Sequence, residues 1–165
     1  MIKKSSTGRV KNATKVSKHG IDFKSRLECY AYEALTNAGI PVEYEPKHFV
    51  LVPKFEFNGT RVWNGEWTVN RNGKRTHSNT LGEFKSSPSV NALTYCPDFV
   101  GDGFIIECKG FATESFPLRF KLFKRYLKQH NSNVDLYLVK NQTQIDAMVK
   151  EIVNKRKNST LCQNL

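Results

Sequence analysis

Two β-type runs, residues 93–100 and 104–109, are separated only by Gly101-Asp102-Gly103, and nowhere else does this 165-residue chain leave its backbone so little choice. Glycine supplies the left-handed backbone that a tight turn needs, so the two runs read as an antiparallel hairpin. A two-residue turn at Asp102-Gly103 pairs Gly101 with Phe104, and counting back along both strands sets Asp98 opposite Glu107. Side chains alternate along a strand, which puts Lys109 on the face that carries Glu107. Two carboxylates opposite one another, with Cβ atoms about 4.5–5.5 Å apart, repel unless positive charge stands between them. A divalent cation supplies that charge and Lys109 adds an ammonium, a set suited to phosphodiester hydrolysis with Mg²⁺. A three-residue turn over 101–103 would instead pair Asp98 with Ile106 and send Glu107 to the opposite face.

The remaining elements follow from periodicity. Phe23, Leu27, Tyr30, Ala31, Ala34, Leu35 and Ala38 recur at helical spacing, and Gly39 stands where a C-terminal cap belongs. Residues 42–52 read as a strand interrupted near Pro46. Residues 53–91 form an insertion with one or two hairpins, in which Asn58-Gly59, Asn64-Gly65 and Asn72-Gly73 are the turn signals. Its tip carries Arg71, Lys74, Arg75 and His77, and 86–89 is a loop returning to the core. A second helix presents Phe116, Phe120, Phe123 and Leu127 and ends near His130. Residues 134–139 are a short buried strand, and a third helix runs from Gln142 to about Asn154. The order is α-β-(insert)-β-β-α-β-α, an α/β chain with one domain over 21–165 behind a flexible basic arm over 1–20.

Lysine and arginine number 26 against 15 aspartates and glutamates, a formal net charge of +11, so a polyanion is the natural partner and nucleic acid leads. Lys15 and Lys18 of the arm, Arg71, Lys74 and Arg75 of the insertion, and Arg119 and Lys121 of the second helix are the candidate DNA contacts. Trp63 and Trp67 either stack on exposed bases or pack against cross-strand neighbours. The four cysteines form no CxxC pair, which excludes a structural zinc site and a disulfide framework and fits a reducing cytoplasm. No apolar run approaches membrane-spanning length and no secretory leader is legible, so no membrane partner is expected.

Pro97-Asp98 followed by Ile105-Ile106-Glu107-Cys108-Lys109-Gly110 resembles the P-D…E-x-K signature of the PD-(D/E)XK nuclease superfamily. The element order resembles its common α-β-β-β-α-β core. The stretches Phe23-Lys24-Ser25-Arg26-Leu27-Glu28, Gly39-Ile40 and Val42-Glu43-Tyr44-Glu45 are similar to the phage endonuclease I family of Holliday-junction-resolving enzymes, a likeness covering roughly residues 20 to 140. The resemblance implies a restriction-endonuclease-like fold, with Asp98, Glu107 and the backbone carbonyl of Cys108 as metal ligands. It implies Lys109 as the catalytic lysine and Glu28 as a further catalytic carboxylate, with Mg²⁺ as cofactor and Mn²⁺ able to substitute. Branched DNA is then the substrate, a homodimer the assembly and the cytoplasm of a phage host the setting. The insertion and the C-terminal part depart from that family. Glu28 also has a structural reading, because Ser25-x-x-Glu28 is a capping-box pattern. The rival functions are a sequence-specific or nicking endonuclease on duplex DNA and a nucleic-acid-binding protein without hydrolytic activity.

Overall fold

The computed structural model describes residues 14–110, 114–130 and 132–163. The chain is mixed α/β and divides into two compact units, Met1–Phe49 with Tyr95–Leu165, and Val50–Thr94.

The first unit opens with β1 (Val16–Lys18) and β2 (Ile21–Phe23), an antiparallel hairpin pairing Lys18 with Ile21. This corrects the expected arm: of residues 1–20, 1–13 lie outside the described residues, and 16–20 belong to the hairpin. His19 and Gly20 both take positive φ, 57° and 73°, as a two-residue hairpin turn requires. Helix α1 (Arg26–Asn37) begins at Ser25, whose hydroxyl accepts the Glu28 N–H, and ends before Gly39 at φ 67°.

Strand β3 (Val42–Tyr44) follows, and after the break at Pro46 comes β4 (Phe49–Val52). The second unit contains β5 (Phe55–Glu56), the long ribbon of β6 (Arg61–Val69) and β7 (Arg75–Ser86), and β8 (Ser89–Val90). Its turn at 70–74 fits the Asn72-Gly73 signal, whereas Asn64-Gly65 does not turn: it lies inside β6, where the register shifts between Gly65 and Glu66. Arg75 and His77, expected at the tip, are already on β7, and the expected return loop shrinks to Ser87 and Pro88 between two strands.

The chain re-enters the first unit through β9 (Leu93–Tyr95), which pairs with β4, and continues into β10 (Phe99–Gly101) and β11 (Phe104–Cys108). The run expected as one strand over 93–100 is broken at Cys96-Pro97-Asp98, where proline removes a ladder donor. Then come α2 (Phe116–Gln129), β12 (Asp135–Val139) and α3 (Gln142–Gln163), the last extending well beyond the expected end near Asn154. A four-stranded sheet in the order β12-β11-β10-β3 is the frame, with β11 parallel to β12 and antiparallel to β10.

Strand β11 is buried along its whole length, so both faces of the sheet are covered there. Phe104, Ile106 and Cys108 join the core built from Cys29, Ala31 and Leu35 of α1 and Ile145, Met148 and Ile152 of α3. Tyr95 stacks on Phe123 of α2 with ring centroids 4.4 Å apart, so α2 serves the residues beside β9. Among the described residues no helix is long and apolar enough to cross a membrane.

Leu35 is fully buried between α1 and the sheet core. Leu35→Ala is expected to cost about 2–5 kcal/mol in urea unfolding, through lost transfer energy and a residual cavity; a cost under about 1 kcal/mol would mean that α1 does not close this core.

Candidate active site

Hairpin β10–β11 fixes the centre of the site. Gly101 pairs with Phe104, Val100 with Ile105 and Phe99 with Ile106, the register of a two-residue turn at Asp102-Gly103. Gly103 takes φ 76°, and a Cβ on Gly101 would stand 2.2 Å from the Phe104 ring, so both glycines are needed where they are. One step further, Asp98 sits just ahead of β10 opposite Glu107. Its Oδ2 accepts the Cys108 N–H at 2.6 Å, locking the carboxylate onto the partner strand. Its own carbonyl accepts the Glu45 N–H at 2.9 Å.

Both carboxylates are buried, Asp98 with 9% and Glu107 with 5% of its surface exposed. Burial pushes Asp98 up to about 8, and the charge of Glu107 adds to the shift while the Cys108 N–H opposes it. Glu107 is raised as well, by burial first, with Lys109 pulling it back. The Cys108 thiol is pushed up by burial and by Asp98. With both acids ionised, Lys109 would leave one negative charge unmatched, and below about pH 8 a proton on Asp98 takes up that charge.

Lys109 is the cation at hand. Its Nζ lies 3.6 Å from Glu107 Oε1 and 4.9 Å from the centre of the Phe116 ring, while its backbone N–H is fixed to the Val139 carbonyl at 2.8 Å. A carboxylate and an aromatic face thus hold the ammonium beside the two acids.

Glu28 reaches the same region from the first turn of α1 and is 5% exposed. Its Oε1 accepts the Ser25 hydroxyl at 2.7 Å, and its Oε2 accepts the Tyr44 hydroxyl at 2.7 Å and the Lys24 N–H at 3.0 Å. The capping role and proximity to the site coexist. The negative charge of Glu28 raises the pKa of both Asp98 and Glu107, so it acts on the pair within one chain.

Tyr95 was not legible as a site residue. It is 7% exposed, and its hydroxyl makes no hydrogen bond of acceptable geometry. The carboxylate of Glu107 is nonetheless close enough that, after burial, it is the largest influence raising the phenol's pKa. Arg119 opposes that shift, which places its guanidinium near Tyr95. Tyr44 likewise reads from the sequence only as a strand residue, because a strand aromatic carries no signal for what its hydroxyl will meet.

The other expected contacts scatter. Lys15 is exposed ahead of β1, and Lys18 is paired with Glu33 of α1, which gives it a structural role that the expected arm did not provide. Lys121 is exposed on α2, and Arg71, Lys74 and Arg75 are exposed in the second unit.

Among the described residues no three His, Cys, Asp or Glu side chains converge on a common point. Asp98 and Glu107 offer adjacent hard-oxygen donors that, with the Cys108 carbonyl, would suit Mg²⁺, which keeps several waters and is commonly held by one or two carboxylates. The donor set fits such an ion.

A mixed α/β chain with a buried acidic pair and a lysine at the end of a central strand is what fold and site define. It belongs to a family described as a protein of unknown function (DUF1064), whose model matches residues 9–143. No curated protein and no solved structure matches the chain.

Because Asp98 is raised from 3.8 to about 8 in the fold, the folded chain holds a proton that the unfolded chain releases. The stabilisation is full below about pH 4 and is lost as pH climbs toward 8. In EDTA, urea unfolding between pH 5 and 8 is expected to show falling stability for the wild type and a flatter profile for Asp98→Asn; parallel profiles would contradict the shift.

Proposed function

We propose that this protein is a metal-dependent DNA endonuclease with a restriction-endonuclease-like core, selective for branched DNA such as a four-way junction. The observation that carries the proposal is the buried Asp98–Glu107 pair with the Lys109 ammonium 3.6 Å from Glu107. A structural ion pair needs one acid for one base; two buried acids and one lysine leave a negative surplus that suits a divalent cation. The resemblance of Pro97-Asp98…Glu107-Cys108-Lys109 to the PD-(D/E)XK signature supports the same reading.

In this mechanism Asp98, Glu107 and the Cys108 carbonyl would hold Mg²⁺, with Mn²⁺ able to substitute, and the ion would supply Lewis-acid polarisation of the scissile phosphate and an acidified water. Lys109 sits where its ammonium can stabilise charge building on the phosphate oxygens. Glu28, fixed by Tyr44 and Ser25, adds negative charge that favours cation over proton in the acidic pair. Arg119 and Lys121 on α2 are the nearest candidates for flanking phosphates.

Cutting both strands of a junction needs two sites, so a homodimer is the proposed assembly. The proposed setting is the cytoplasm of a phage-infected host.

The test is cleavage of a labelled four-way junction and its matched linear duplex, with Mg²⁺ or EDTA. Cutting is expected only with Mg²⁺, to favour the junction, and to fall on the order of 100-fold or more in Asp98→Ala. Equal cutting of the duplex would replace junction selectivity by the sequence-specific or nicking alternative. Binding without cutting of either DNA would overturn the nuclease and leave a nucleic-acid-binding protein.

A further inference from the structure

The β6–β7 ribbon of the second unit concentrates its aromatic side chains on one face. Paired residues across a ladder share a side, and alternate residues along a strand return to it. Trp63 pairs with Phe84, Trp67 with His77 and Val69 with Arg75, so all six lie on that face. Between the two aromatic pairs Gly65 faces Gly82, and a Cβ on Gly65 would stand 2.6 Å from His77 Cε1, which confirms that the His77 ring lies on this side. The result is two ring clusters on one side of the ribbon, with the His77 ring lying over Gly65 between them.

These rings are not a core. Trp63 and Phe84 meet edge to face at 5.2 Å, and Trp67 and His77 at 5.1 Å, yet Trp67 is 62% and Phe84 65% exposed. The Arg75 guanidinium lies 5.7 Å from the centre of the Trp67 ring. Residues 67–77 include Arg71, Lys74 and Arg75 and no acid, while Glu66 and Glu83 each adjoin an aromatic position in sequence and so point to the other face.

We propose that this face binds single-stranded DNA, with unpaired bases stacking on Trp63 and Trp67 and the basic tip holding the adjacent phosphates. Exposed aromatic rings beside cations are the chemistry that grips unpaired bases, because every base offers a flat face only when it is out of the duplex. A two-stranded ribbon also fits a major groove, but there it meets base edges, which polar side chains read and stacked rings do not. The inference deepens the nuclease reading by naming unpaired segments of a branched substrate. It stands apart from the chemistry, because binding is measured without metal.

Trp63 and Trp67 are the two tryptophans of the chain, so intrinsic tryptophan fluorescence reports on this face alone. The experiment titrates the full chain in EDTA with a single-stranded 20-mer and with its duplex. Expected are quenching by the single strand, weaker binding of the duplex, and about ten-fold loss of single-strand affinity in Trp67→Ala, with Trp67→Phe retaining most of it. Unchanged fluorescence at saturation, unchanged affinity in Trp67→Ala, or equal binding of duplex would each overturn the proposal. So would a Trp67→Ala variant that dissociates a self-associated form while binding DNA like the wild type. Quenching without any nuclease activity would uphold this face and sink the catalytic reading alone.

Discussion

The register of one hairpin decides where this chain keeps its charge. Pairing Gly101 with Phe104 brings Asp98 opposite Glu107, and a shift of one residue would move Glu107 to the other face. The Gly101-Asp102-Gly103 turn sets that register by sterics: one glycine at positive φ, the other with a ring where its Cβ would be. The Cys108 N–H then holds Asp98 in place, β12 supports β11 from the other side, and α1 closes over the core with Glu28 at its first turn.

That arrangement works against folding. Burial raises the pKa of both carboxylates, the charge of Glu107 raises Asp98 further, and the Tyr95 hydroxyl lies buried without a hydrogen bond beside them. Each is a cost that a purely structural core avoids, since an unpartnered buried polar group typically loses about 1–3 kcal/mol. Local departures from good packing chemistry concentrate where a protein acts. Here they concentrate within reach of Lys109, the one lysine held between an acid of the pair and an aromatic ring.

The sequence carried the hairpin register, the three helices and the β-rich insertion because each rests on a local rule: turn glycines, 3.6-residue spacing, alternation. It did not carry features set by tertiary contact. The β1–β2 turn uses His19-Gly20, a left-handed pair without the usual Asn or Asp, inside a stretch polar enough to read as an arm. Helix α3 outruns its apolar periodicity, and just past the expected end Lys155 bridges Glu151 at 2.7 Å and Asp135 at 2.8 Å, pairs that no apolar pattern records. Asn64-Gly65 looks like a turn but serves a register shift in a strand, and the Tyr44 hydroxyl meets Glu28 of α1, a contact that only the tertiary fold makes.

The central claim is that Asp98 and Glu107 form a cation site whose acid pair surrenders a proton to bind metal. Electron paramagnetic resonance of Mn²⁺ with the wild type and with Asp98→Asn, at pH 6 and pH 8, in the presence of junction DNA, measures this directly. The account predicts Mn²⁺ binding by the wild type that tightens from pH 6 to pH 8 and is lost in Asp98→Asn. Binding that is the same in both proteins, or absent from the wild type at pH 8, would contradict it.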